Sequence, residues 1–328
     1  MRKFVAGLLG ALLLMGIALF WYAQSPMQTG VLYPLAFSIP QGASFKMAVR
    51  EMAHRGALKH AWLFALVARF QGKTGDIKAG GYALQQAVTP LALLRKITEG
   101  DTVQGKITVI EGWTFAEMRR ALERAPDLRH DTADMSDTEL LAALGAKANH
   151  PEGLFFPDTY FFDMGSSDLT LYKRAYQAMQ SVLEENWAGR DAGLPYHTAR
   201  EALIMASIIE KETGAAEERP QIAAVFINRL RIGMRLQTDP SVIYGLGERY
   251  DGNLRRVDLE SDTPYNSYTR AGLPPTPIAL PGADAIHAAV HPDKSRALYF
   301  VAMGNGRHVF SSNLADHNRA VARYQKRN

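Results

Sequence analysis

The sequence predicts an α+β protein in which an N-terminal membrane anchor carries a small mixed α/β module followed by a larger mixed α+β domain. Three observations point there. The 328 residues leave room for about two cores at the usual ~100–200 residues per domain. Residues 4–23 form an uncharged, almost wholly apolar run. Beyond that run, short alternating stretches interleave with helical stretches framed by capping residues. The predicted divisions are a cytoplasmic tip (1–3), a transmembrane helix (4–23), the small module (24–104) and the larger domain (105–328).

As a helix, the run from Phe4 to Ala23 is about 30 Å long, the thickness of a bilayer's hydrocarbon core. Arg2 and Lys3 precede it, so the positive-inside rule keeps the N-terminus in the cytoplasm and exports the chain beyond residue 23. A cleaved signal peptide is the rival reading, but it would have a shorter apolar core and small residues before the cut. Here Phe20, Trp21 and Tyr22 crowd that end, which favours an uncleaved anchor with Trp21 and Tyr22 in the interfacial belt.

In the small module, Leu35 to Ile39 reads as a strand, and Ser44 opens a helix that Gly56 closes. A second helix runs from Ala61 to Phe70 and stops at Gly72. Gly80-Gly81-Tyr82 begins a short strand, and Thr89, Pro90 and Gly100 frame a third helix as cap, first position and stop. In the larger domain, Lys106 to Ile110 alternates as a strand. Thr114 and Glu117 form a capping box, stapled by Trp113 against Met118. Leu140 to Leu144 is a short helix ended by Gly145. Glu152 to Phe162 gathers five aromatics around Pro157-Asp158, which suit core packing and can also stack on sugar rings. Leu169 to Trp187 is an amphipathic scaffold helix.

The stretch from Thr198 to Gly247 places carboxylates where packing alone would not. Thr198 and Glu201 form a capping box, and Gly214 is read as the stop of the helix between. Apolar residues from Ala202 to Ile209 cover nearly its whole circumference, so the helix is buried. Glu210 and Glu212 project from apolar arcs in the last turn, where desolvation and the negative end of the helix dipole both oppose ionisation. A carboxyl held protonated near neutral pH is what a general acid needs. The alternative is a solvated Glu/Lys helix end.

Pro220 starts another helix that ends at Gly233. Gln237, Asp239 and Tyr244 come next in a turn-rich segment, where Asp239 serves either as an N-cap or as a sugar ligand. Tyr265 and Asn266 lie in a Gly- and Pro-rich loop long enough for a binding role. Leu298 to Val301 and Arg307 to Phe310 flank Gly304-Asn305-Gly306 as a hairpin, and a terminal helix holds His317, Val321 and Tyr324.

Charged residues make up 21% and hydrophobic ones 47%, as in ordinary folded proteins. The net charge of +4 is spread along the chain, which argues against nucleic acid and suits an anionic membrane or wall polymer. With no cysteine, disulfides, thiolate catalysis and thiolate metal sites are excluded. His287 and His291 have metal-ligand spacing without a third ligand, so no metal is expected. No GxSxG elbow, phosphate loop or dinucleotide fingerprint occurs.

ASIIEKETG (Ala206 to Gly214) and ERPQIAAVFINRLRIGMRLQTDPSVIYGLG (Glu218 to Gly247), with EGLFFPDTYFF (Glu152 to Phe162) and TPYNSYTRAGLPPTPIALPG (Thr263 to Gly282), resemble the MltG (YceG-like) family of membrane-anchored endolytic murein transglycosylases. The likeness covers most of the chain beyond about residue 30, with Leu280 standing where many relatives carry Asn. It implies a LysM-like module at 24–104, contacting glycan or acting as a spacer, and a catalytic domain at 105–328. It implies Glu210, the first Glu of EKET, as the catalytic acid, with Ser207, Asn228, Gln237, Asp239, Tyr244, Tyr265 and Asn266 binding substrate. No metal or cofactor is implied. The implied partners are peptidoglycan glycan strands, the cytoplasmic membrane and peptidoglycan synthases (penicillin-binding proteins). The implied location is the bacterial inner membrane, single-pass, with the catalytic domain periplasmic. In the implied reaction Glu210 protonates the oxygen between N-acetylmuramic acid and N-acetylglucosamine, then takes the proton of the C6 hydroxyl as it closes onto C1, leaving a 1,6-anhydro end. Two alternatives stay open: a muramidase using Glu212, Glu218 or Asp239 as second acid, and a non-catalytic wall-binding adaptor with Glu210 in a salt bridge.

Overall fold

The computed structural model describes residues 2–27 and 30–325, a mixed α+β chain that divides into two compact units. The first holds residues up to 107 together with 125–131 and 161–168; the second holds the rest.

The first unit contains α1 (Arg2–Gln24), β1 (Leu35–Ile39), α2 (Phe45–His54), α3 (Ala61–Phe70), β2 (Gly80–Leu84) and α4 (Pro90–Glu99). β1 runs antiparallel to β2, with Leu35 opposite Leu84 and Ile39 opposite Gly80. The caps act as their residue types predict. The Ser44 hydroxyl accepts from Met47 N at 3.3 Å, the Thr89 hydroxyl from Ala92 N at 3.1 Å, and Gly100 ends α4 at φ 77°. Phe37, Ile39, Met52, Phe64, Tyr82, Leu93 and Ile97 fill the core, and Leu19, Tyr22 and Ala23 from the end of α1 pack against it. Several α1 side chains lie outside the described residues, and among the described ones no helix is long and apolar enough to cross a membrane. The anchor expected at 4–23 therefore rests on sequence.

Gln104–Thr108 forms β3, two residues earlier than its alternation suggests, and the chain passes from the first unit to the second within this strand. Next is α5 (Phe115–Glu123), with the capping box complete: Glu117 N donates to the Thr114 hydroxyl at 3.3 Å and Thr114 N to Glu117 Oε2 at 2.7 Å. α6 (Asp137–Leu144) starts three residues before the predicted helix because Ser136 and Glu139 make a further box. β4 (Thr159–Asp163) and α7 (Asp168–Ala188) come after it. Phe155 stacks on Phe115 and meets Tyr172 edge-on, with ring centres 5.3 and 5.5 Å away, so the centre of the EGLFFPDTYFF aromatics is core.

α8 (Ala199–Glu212) is the centre of the second unit. Every residue from Ala202 to Ile209 is buried, and the helix packs on α9 (Arg219–Arg231) and α12 (Ala283–Val290). Gly214 does not stop it: Thr213 turns extended at φ −145°, and Gly214 does not take a left-handed conformation. Between α9 and α12 lie α10 (Asp239–Leu246) and α11 (Arg256–Glu260). Neither α11 nor α12 was expected. The chain ends with β5 (Tyr299–Ala302) and β6 (His308–Ser311), antiparallel with Ala302 opposite His308, and with α13 (Leu314–Tyr324).

Candidate active site

The two glutamates that end α8 point into different surroundings, because residues 210 and 212 are about 200° apart around a helix. Glu210 faces α9 and the start of α12. Its Oε2 accepts from Gly282 N at 2.9 Å, and its Oε1 lies 3.3 Å from Arg219 Nη2. The two side chains are 6% and 9% exposed. Arg219 also reaches Asp284 at 3.2 Å and Glu111 at 3.9 Å, so one guanidinium serves three carboxylates. Burial raises the Glu210 pKa, and the Gly282 N–H and Arg219 oppose the rise.

Glu212 faces a cleft of about 550 Å³ instead. The cleft is lined by Arg229 of α9, Gln237 and Asp239 before and at the start of α10, Tyr268, and Tyr299, His308 and His317 from β5, β6 and α13. The Thr238 hydroxyl donates a short hydrogen bond to Glu212 Oε1 and fixes the direction of the carboxyl. Burial pushes the Glu212 pKa up to about 7; the Thr238 bond opposes this and the nearby Asp239 charge adds to it. A group that is half protonated near neutral pH, oriented and facing an open polar cleft, can donate and recover a proton.

The rest of the cleft is held stiffly. Arg229 donates from Nε to Leu298 O at 2.7 Å and from Nη1 to Leu236 O at 2.5 Å, and lies over the Tyr299 ring. His308 donates its N–H to Glu218 Oε1 at 3.0 Å, and its Nδ1 is 2.7 Å from Glu218 Oε2. The Tyr268 hydroxyl donates to Asp239 Oδ1 at 2.5 Å, and His317 stacks on Tyr299. Gln237 is exposed and adopts φ 51°, a left-handed conformation that a residue with a Cβ takes at a cost of about 1–2 kcal/mol. Its N–H to Ser267 O bond of 3.1 Å helps hold it there, a sign of a backbone shaped for its site. Gln237→Gly is expected to melt at the same temperature or higher while catalysing less well through a raised KM. A lower melting temperature with unchanged KM would show that the strain serves packing.

Of the eight residues predicted for the site, only Gln237 and Asp239 line the cleft with Glu212. Glu210 sits in its ion pair. Ser207 is fully buried, donating to Ile204 O at 2.7 Å and accepting from Ile278 N at 3.0 Å. Asn228 donates to Ser295 O and Ala297 O, both at 3.0 Å, and so holds the irregular segment that leads to β5. Tyr244 donates to Glu152 at 3.1 Å, and the Tyr265 hydroxyl lies 2.8 Å from that of Thr276. Asn266 is fully buried in its own loop. Asp239 is the first residue of α10 rather than its cap; Thr238 is the cap position and its side chain makes no cap bond. The sequence reading missed Arg229, Tyr268, Tyr299 and His308, whose roles depend on contacts between distant segments. His287 and His291 are engaged by Asn186 at 3.3 Å and Asp191 at 2.9 Å.

The YceG-like family profile matches residues 37–323, most of the chain. The chain belongs to the YceG-like family. A family relative from Bacillus subtilis (strain 168), named endolytic murein transglycosylase, is 32% identical over 326 residues, covering 93% of this chain and 89% of its own length. One of the same name from Streptococcus pneumoniae serotype 2 (strain D39) is 29% identical over 332 residues, covering 87% of this chain and 57% of its own. The crystal structure of a YceG-like protein from Listeria monocytogenes matches 88% of this chain and all of its own, at 32% identity and a TM-score of 0.56. The segments EKET and RLQTDP bring Glu212, Gln237 and Asp239 to one cleft.

Proposed function

We infer that the chain is a membrane-anchored endolytic lytic transglycosylase, a lyase that cuts the bond between N-acetylmuramic acid and N-acetylglucosamine within peptidoglycan strands. The names of its relatives support the activity, and the cleft in front of Glu212 supports the site. The acid is Glu212 rather than Glu210. Glu210 is taken up by Arg219 and the Gly282 N–H, whereas Glu212 lines a cleft about the size of a small oligosaccharide.

In the reaction, protonated Glu212 gives its proton to the bridging oxygen as the C1–O bond breaks. The resulting carboxylate removes the proton of the muramic acid C6 hydroxyl while O6 bonds to C1. The carboxyl ends as it began, and no water is consumed. Thr238 holds one carboxyl oxygen throughout. Gln237 and the Asp239–Tyr268 pair offer hydrogen bonds to the sugars. The run at 4–23 anchors the chain in the inner membrane with the catalytic unit periplasmic, beside the synthases that extrude new strands. The first unit touches the glycan or sets the height of the site.

Asp239 lines the same cleft as Glu212, which favours a two-carboxylate hydrolase as the second reading. Mass spectrometry of muropeptides released from purified strands separates the two. Anhydro ends are expected. Reducing ends would establish hydrolysis, and no release would leave a binding protein.

A further inference from the structure

We propose that α3 lies in the head-group layer of an anionic lipid bilayer, so that the first unit rests on the membrane and is not free to swing on its anchor. This rests on the proposed anchor at 4–23. From 52 to 75 the chain contains no Asp or Glu and carries Arg55, Lys59, Arg69 and Lys73. Trp62, Leu66 and Phe70, at i, i+4 and i+8, form one stripe along α3. Trp62 is 68% exposed and Phe70 74%, while Phe64, Val67 and Ala68 on the other side are buried in the core. Arg55 is paired with Glu51 and Lys73 with Asp76, but Lys59 and Arg69 form no ion pair among the described residues. An exposed Trp and Phe stripe flanked by unpaired cations matches the chemistry of an anionic lipid surface, which takes aromatic rings at the acyl boundary and cations at the phosphates.

Placement supports the same occupant. The Tyr22 hydroxyl donates to His60 O at 3.3 Å, and one cavity is walled by Tyr22, Ser25, Met27, Lys59 and His60. Another is walled by Gln24, Gln71, Lys73 and residues of α4. The N-terminal end of α3 therefore lies beside the last turn of α1, and its C-terminal end opens on the same cavity as Gln24. A ten-residue helix is about 15 Å long, so α3 crosses that turn and does not lead away along it. Where α1 leaves the bilayer, α3 is at the same level. A protein partner would find the stripe only two turns long and too small for a stable interface.

The chain has no cysteine, so single cysteines can be placed and labelled with a polarity-sensitive dye in the full-length protein. The positions are Phe70→Cys, Met47→Cys on α2 as a reference, and Leu13→Cys in α1. Each is reconstituted in phosphatidylcholine vesicles with and without phosphatidylglycerol, carrying lipids quenched either near the head group or deep in the chains. The dye at 70 is expected to shift to the blue and lose emission to the shallow quencher, more so with phosphatidylglycerol, while the dye at 47 does neither. Lys59→Glu with Arg69→Glu should return the dye at 70 to its signal in neutral vesicles. Emission at 70 equal to that at 47 in every vesicle would overturn the proposal. Leu13 reports on the anchor separately: quenching there by the deep lipids without any at 70 would refute the surface contact alone, whereas loss of both would refute the two together.

Discussion

Glu212→Gln is expected to lose at least ~100-fold in turnover of glycan strands, the usual contribution of a general acid–base group, while Glu210→Gln keeps activity within a few-fold. The amide preserves the shape of the Glu212 side chain and its hydrogen bond with Thr238 but has no proton to transfer. Stability should move the other way. The folded pKa of Glu212 is raised from 4.5 to about 7, so its carboxyl favours the fold when protonated. That contribution is complete below pH 4.5 and lost as pH rises through 7. Above pH 7 the neutral amide avoids the buried charge, and Glu212→Gln should melt higher than the parent. Parent kcat/KM should itself fall as pH rises through about 7. The same sign holds at Glu210, whose pKa burial also raises, so Glu210→Gln should melt at or slightly above the parent near neutral pH, with Asp284 and Glu111 still partnering the Arg219 guanidinium. An inactive Glu210→Gln beside an active Glu212→Gln would return the acid's role to Glu210.

Asn266→Ala is expected to cost about 2–4 kcal/mol. The two N–H groups of Asn266 Nδ2 are shared among three carbonyls, those of Asp258 at 3.1 Å, Leu259 at 3.0 Å and Ser261 at 2.6 Å. Its Oδ1 accepts from Tyr268 N at 2.9 Å. Alanine removes these bonds from a part-buried loop and frees Tyr268, which orients Asp239. The measurement is a pair of thermal melts with Asn266→Asp, which keeps the acceptor and removes the donors and should lose nearly as much. A sugar-binding asparagine would instead show an unchanged melt with weakened substrate binding.

What the sequence disclosed and what it hid divide along the range of the interactions. Ser44, Thr89, Thr114 and Thr198 announced their helices because a cap bond closes over two or three residues. α12 went unannounced because Gly282 caps it without a side chain, behind a loop that reads as irregular. Two glutamates on a buried helix were visible from periodicity, and so was the direction of their pKa shifts. Which one lines the cleft was not visible. That choice is made by Arg219 on α9, by Gly282, and by the hairpin of β5 and β6 some ninety residues on. Nor could any pattern show that Gln237 is left-handed, since the strain sits on a residue that is not glycine.

The interleaving of the two units has a consequence for how the protein is made. Residues 161–168 complete the first unit: Met164 lies against Gly81 of β2, Gly165 against Ser38 of β1, and Gly165 N donates to Asp127 O at 2.6 Å. A ribosome adding roughly 5–20 residues per second needs about 3–12 s to travel from residue 107 to residue 168. During that time the nascent chain holds β1 and β2 without the segment that covers them. A gene cut after residue 107 would encode the same unfinished state permanently, so the first unit can be obtained whole only from a transcript that reads through to residue 168.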